Sequence, residues 1–127
     1  MIKGGPMIKT HHKRHSSMLF AQVHGMFTQE KFDQTFIDQA DKIIAEFQFV
    51  HIILELDNQL SGWQLLNVFQ HFKQYITPYE NMSKLAVVCD NKIFGWRFFN
   101  LQTQPTIMME CFSYKDIEKA KAWLAIG

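Results

Sequence analysis

The stretch from Lys84 to Leu124, KLAVVCDNKIFGWRFFNLQTQPTIMMECFSYKDIEKAKAWL, decides the fold class. Its first part, KLAVVCD, is a short apolar run closed by Asp90 and Asn91, which predicts a buried strand. Ile93, Phe94, Trp96, Phe98, Phe99 and Leu101 then leave almost no face for water, so the spacing predicts a helix over 92–101 that is apolar nearly all round. The segment Gln102 to Pro105 turns the chain, and TIMMECF predicts a second buried strand. Ser113 and Asp116 form an [ST]-x-x-[DE] capping signature ahead of Ile117, Ala120 and Leu124, with Trp123 beside that stripe, so the stretch closes on an amphipathic helix.

Working outward, the same alternation recurs. VHIILELD (Val50 to Asp57) is a β-branched run that reads as a strand covered on both faces. Before it, Thr28 is a suitable N-cap, Glu30 sits at the positive end of the helix dipole, and Phe32, Phe36, Ala40, Ile43, Ile44 and Phe47 recur at helical spacing. After it, Asn58 to Gly62 make a turn and Ser61 can cap a helix. That helix carries Leu65, Phe69, Phe72 and Ile76 on one stripe, broadened by Leu66 and Val68, and Pro78 stops it. MLFAQVHG, from Met18, reads as a strand that can pair as a hairpin with Met7 to His12. The resulting order is β-β-α-β-α-β-α-β-α. Strands that alternate with helices need crossovers, so an α/β fold with a mostly parallel sheet is expected.

At 127 residues the chain fits one domain, read here as 18–127, with 1–17 a basic N-terminal arm or edge strand around HHKRH. Thirteen Lys and Arg against twelve Asp and Glu give a net charge of +1, which predicts no nucleic-acid partner. Cys89 and Cys111 fall in apolar strand patterns and are expected to pack as small hydrophobes. The N-terminus lacks the apolar core of a secretory signal and no run approaches the ~20 residues of a membrane span. The expectation is therefore a cytoplasmic protein whose membrane contact, if any, is peripheral.

Sites in open α/β sheets lie at the carboxyl ends of the strands, here near Asp57, Asp90 and Phe112. Glu55, Asp57 and Asp90 offer oxygen ligands for a hard cation, but Asp57 and Asp90 also stand where helix caps belong, and capping is the expected role. Glu110, if its strand is buried, has to reach an edge or a partner. In the basic tract, His11 and His12 point to opposite faces of a strand, so a solvated edge is expected rather than a metal site. Its cations would add weak attraction to anionic lipid headgroups. His24, His51 and His71 are dispersed and read as structural. No GxSxG, Walker, GxGxxG or HExxH motif occurs, so neither catalysis nor a cofactor is expected.

The helix over 92–101 carries the sharpest functional expectation. At 100° per residue, Ile93, Phe94, Phe98 and Leu101 form one apolar arc, and Trp96 and Phe99 form a second on nearly the opposite side. Only one arc can face the sheet. The other has to cover a neighbouring helix, a partner subunit, a lipophilic ligand or a membrane surface.

VHGMFTQEKF, IILELDNQLSGWQLL, KLAVVCDNK, the aromatic helix and the ending FSYKDIEKAKAWL, taken in order, resemble the SpoIIAA-like branch of the STAS fold, which is related to bacterial anti-anti-sigma factors. The resemblance spans roughly Met18 to Leu124. It implies a four-turn β-α superhelix that needs no cofactor to fold and serves as a regulatory or ligand-binding module, similar in design to lipid-carrying CRAL-TRIO domains. Anti-anti-sigma factors phosphorylate a serine in a D-S-[ST]-G turn. The matching text here is N-Q-L-S-G-W, so Ser61 corresponds only as a serine before glycine, and the preceding Asp-Ser is missing.

Two functional expectations follow. The first is a non-catalytic module that binds a lipophilic small molecule, or a membrane surface, through Trp63, Phe69, Phe94, Trp96, Phe98 and Phe99. The alternative is a protein-interaction switch with Ser61 as phosphosite. A homodimer is expected in either case.

Overall fold

In the computed structural model, residues 8–57, 60, 64–65, 67–68, 70–72, 82–90 and 108–125 are described. Five strands form one sheet in the order β1 (Ile8–His12), β2 (Met18–Val23), β3 (Val50–Leu56), β4 (Met82–Val88) and β5 (Met108–Phe112). β1 and β2 pair antiparallel as a hairpin, with Ile8 opposite Val23 and His12 opposite Leu19. The β2–β3, β3–β4 and β4–β5 pairs are all parallel, as the alternation of strands and helices requires.

The central strand β3 explains the layers. Ile52, Ile53 and Leu54 are consecutive and fully buried, so both faces of the sheet are covered there. On the first face, Leu19, Ala21, Ile52, Leu54, Leu85 and Val87 pack under Phe32, Phe36, Ala40 and Ile43 and under Leu65, Val68 and Phe72, the described residues among 64–72 being helical. On the second face, Ile53, Ala86 and Val88 lie under Ala120 and Leu124 of the C-terminal helix α3 (Ile117–Ala125). Two steps from strand to neighbouring strand in the same direction place crossovers of one hand on one face, which is why the two earlier helical segments share the first face.

The first helical segment departs from the regular helix predicted by its spacing. It consists of α1 (Gln29–Phe32), a π-helical turn (Asp33–Ile37) and α2 (Asp38–Phe47). Phe32, Phe36 and Ala40 recur every four residues, a step that drifts about 40° around a regular α-helix. A wider turn absorbs that drift and keeps all three on the core side. Phe32 stacks on Phe36 at 5.1 Å, and both meet Phe72 edge-on at 5.0 and 4.9 Å. A π turn disturbs the carbonyl ladder of the helix, and the Thr35 carbonyl accepts a hydrogen bond from Thr10 Oγ1 at 3.2 Å, tying β1 to the segment. Thr28 caps the start as expected, its Oγ1 accepting from the Lys31 amide at 3.1 Å. Gln48, at φ 71°, closes the end in the left-handed region.

The capping signature of the last helix is realised differently from expectation. Ser113 makes no side-chain bond to the helix backbone; its hydroxyl donates to Asp116 Oδ2 at 3.2 Å, and the helix opens on a 3₁₀ turn (Tyr114–Asp116). The far end of α3 is held by Lys84, buried at 7% exposure. Lys84 Nζ donates to the Trp123 carbonyl at 2.8 Å and lies 5.1 Å from the Trp123 ring centroid. A cation suits this position, because the last carbonyls of a helix carry its negative end. A register shift between Val50 and His51 places His51 opposite Lys84, so the two stand together beneath the end of α3.

Burial holds His51 below its ordinary value of 6.5; the charge of Lys84 acts in the same direction, and a hydrogen bond with the Leu124 backbone opposes both. The folded state therefore favours the neutral ring over the unfolded chain. Its contribution to stability is full above pH 6.5 and is lost as pH falls below that value toward the folded-state pKa. Urea melts at falling pH are expected to show this loss, and His51→Gln to remove part of the slope. Phe36→Ala is expected to cost about 3–5 kcal/mol in the same melts, since it opens a cavity in the aromatic stack.

Candidate functional site at the carboxyl edge

The carboxyl ends of the parallel strands bring together Gln22 from β2, Glu55 from β3, and Asp57, Asp90 and Tyr114 from the segments that follow β3, β4 and β5. Strand alternation places Gln22 and Glu55 on the same face as Ile53, the face that α3 covers. Gln22 Nε2 donates to Glu55 Oε2 at 3.4 Å, and His24 Nδ1 lies 3.1 Å from Asp57 Oδ2. The Asp57 amide continues the ladder to the Val23 carbonyl at 3.0 Å, while its own carbonyl accepts from the Leu60 amide at 3.2 Å. Asp90 Oδ1 accepts from the Tyr114 amide at 3.1 Å, joining the exit of β4 to the exit of β5, and the residues that Asp90 was expected to cap lie outside the described residues.

Tyr114 is the unusual member of this group. Its hydroxyl oxygen is buried and has no hydrogen-bond partner among the described residues. Burial pushes the phenol up to about 12, and the charges of Asp57 and Glu55, then Cys89 and Asp90, add to the rise. The phenol thus stays neutral at physiological pH. Among the described residues no group of three or more His, Cys, Asp or Glu is placed to hold a metal ion. The described acids of this edge serve as structural acceptors, Glu55 for Gln22 and Asp90 for the Tyr114 amide.

The remaining sequence expectations separate clearly. His71 Nδ1 lies 2.9 Å from the Asn67 carbonyl and its ring packs on Phe27 and Phe32, a structural role as predicted. Glu110 is exposed on β5, which has no further described strand beyond it, so its carboxylate needs no buried partner. The cysteines require a correction. Cys89 is half-buried against the first core, but Cys111 is exposed, because β5 stands at the rim of the described sheet where that core thins out. Desolvation at the sulfur still raises the Cys111 thiol to about 11, with Cys89 and Glu110 contributing, so its reactivity follows the sulfur rather than the residue surface.

The residues expected to line an apolar site, Trp63, Phe69, Phe94, Trp96, Phe98 and Phe99, lie outside the described residues, as does Ser61. Conversely, Lys84 and Tyr114 play roles that the sequence reading did not assign. The signal for Lys84 was its alternation with Ala86 and Val88, which puts all three on the α3 face. Tyr114 carried no comparable signal, since its environment comes from the exits of two strands distant in sequence, β3 and β4.

One antiparallel hairpin leading into successive parallel β-α steps, with helices on both faces, is the architecture of the STAS fold. The SpoIIAA-like family description matches residues 18–125, and the chain belongs to that family. Membership makes it a STAS-type regulatory module of a class whose members are generally not enzymes. Comparison with curated proteins and with solved structures gave no match. The fully buried Ile8 lies ahead of the matched region, so the first core extends beyond it.

Tyr114→Phe tests the unpartnered hydroxyl. Removing a buried polar atom that makes no hydrogen bond is expected to leave stability unchanged or raise it by about 1 kcal/mol. A loss of that size in urea melts would show that the hydroxyl has a partner.

Proposed function

We propose that this protein is a non-catalytic STAS-type module that takes a lipophilic partner, a small apolar molecule or a membrane surface, through the aromatic segment 92–101 with Trp63 and Phe69. The observation that carries this reading is an excess of apolar residues in the sequence of that segment. The crossover between β2 and β3 illustrates what one helix layer on this sheet requires: Phe32, Phe36, Ala40 and Ile43 are buried, while Asp33, Asp38, Asp41 and Lys42 on the same segment are exposed. One apolar stripe suffices there. The connection between the parallel strands β4 and β5 carries Ile93, Phe94, Phe98 and Leu101, enough for such a stripe, and Trp96 and Phe99 in addition.

The family supports a regulatory rather than a chemical use, and the carboxyl edge agrees, its acids being occupied in holding the strand exits together. Among the described residues no helix is long and apolar enough to cross a membrane, so contact with lipid would be made from one side. A second copy of the chain covering Trp96 and Phe99 would meet the same need, and a native mass spectrum separates a retained lipid from a homodimer.

Co-sedimentation with liposomes tests the membrane form of the reading. The Trp96→Asp, Phe99→Asp double variant is expected to lose about tenfold or more in partitioning, from the apolar transfer that each ring contributes. Equal binding by variant and parent, with no lipid retained in the native spectrum, would overturn it.

A further inference from the structure

We infer that the β1–β2 hairpin is a docking surface for an anionic lipid membrane, with Lys13 and Arg14 at its tip supplying the charge and Phe49 beside it supplying an apolar contact. The inference rests on the membrane form of the proposed function but concerns different residues. Its first basis is the segregation of charge. Four of the thirteen Lys and Arg residues, and none of the twelve acids, precede Glu30, so the rest of the chain holds nine cations against twelve acids. A protein of almost zero net charge thus presents a wholly basic hairpin.

The second basis is geometry. Lys9, His11, Lys13, Arg14 and His15 are all exposed, and among the described residues Lys9, Lys13 and Arg14 form no ion pair with an acid. The tip is held in shape: Ser16 donates its amide to the Lys13 carbonyl at 3.1 Å, His12 Nε2 meets the Ser16 carbonyl at 2.6 Å, and His15 takes the left-handed conformation at φ 64°. The only nearby acid with a described contact is Glu46, 3.7 Å from His15, whose side chain remains 77% exposed. Phe49 lies alongside, 37% exposed, its ring 4.9 Å from that of His51, whose amide donates to the Ser17 carbonyl at 2.9 Å. Cations on an ordered tip with an aromatic ring at its base match a surface that is anionic outside and apolar beneath.

A nucleic acid fits less well. An extended polyanion would run beyond the tip onto a body with an excess of acids.

The test uses the full chain with vesicles of phosphatidylcholine alone and with phosphatidylserine added, and duplex DNA as a second probe. Binding is expected to require phosphatidylserine, to fall at about 0.5 M salt, and to weaken about 30-fold in Lys13→Gln, Arg14→Gln, from roughly fivefold per cation. The thermal melt of that variant should match the parent, since both side chains are exposed. The inference is overturned if the variant binds phosphatidylserine vesicles as the parent does, if no vesicle binds, or if DNA binds as tightly as the vesicles. Binding that ignores phosphatidylserine and is lost only in Trp96→Asp, Phe99→Asp would overturn it while leaving the proposed function standing.

Discussion

Everything in this fold depends on the burial of β3 from both sides. A strand in which Ile52, Ile53 and Leu54 are consecutive and fully buried cannot tolerate water on either face, and a five-stranded sheet needs helices above and below to exclude it. The first face receives two crossover segments because β2, β3 and β4 step along the sheet in sequence order. The second face is covered by α3, which follows β5. Lys84 fixes that cover in place. A helix whose far end joins no described strand is anchored by a buried cation on its last carbonyls, and His51 stands neutral beside that cation.

How far the sequence discloses this arrangement varies with the range of the interactions involved. The strands at 50–56 and 82–88 and the Thr28 cap are legible because hydrophobic runs and capping are local. The π turn at 33–37 is legible only in retrospect, as a strict four-residue recurrence of Phe32, Phe36 and Ala40 that a regular helix would let drift. Lys84 and Tyr114 are harder. Each takes its meaning from groups brought together by the sheet, Lys84 from Trp123 and Tyr114 from Asp57, Glu55 and Asp90. The Ser113 signature shows the converse: a correct local pattern whose hydroxyl chose the Asp116 carboxylate instead of the backbone. Cys111 was misjudged because an apolar neighbourhood in sequence says nothing about whether its strand lies at the middle or the rim of the described sheet.

The candidate site was legible in a narrower sense. Sheet topology foretold that strand exits would converge at one edge, and they do. The chemistry there is occupied with structure, Asp90 bridging two exits and His24 meeting Asp57, which agrees with membership of a family of regulatory modules. The basic tip precedes the amino end of β2 and so lies at the other end of the parallel strands from the exits at Asp57 and Asp90.

The π turn between α1 and α2 also bears on how this chain can change length. A turn one residue wider than its neighbours is what a single-residue insertion leaves in an established helix. Deleting one residue between 33 and 37 would restore a regular helix and leave α1 close to its present orientation relative to α2, because the wide turn already absorbs that residue. The Thr35 carbonyl, however, would be drawn back into the helix ladder and away from Thr10. The turn at 33–37 is therefore the place in this segment where a change of one residue in length disturbs the core-facing positions on either side least, and its cost falls on the tie to β1.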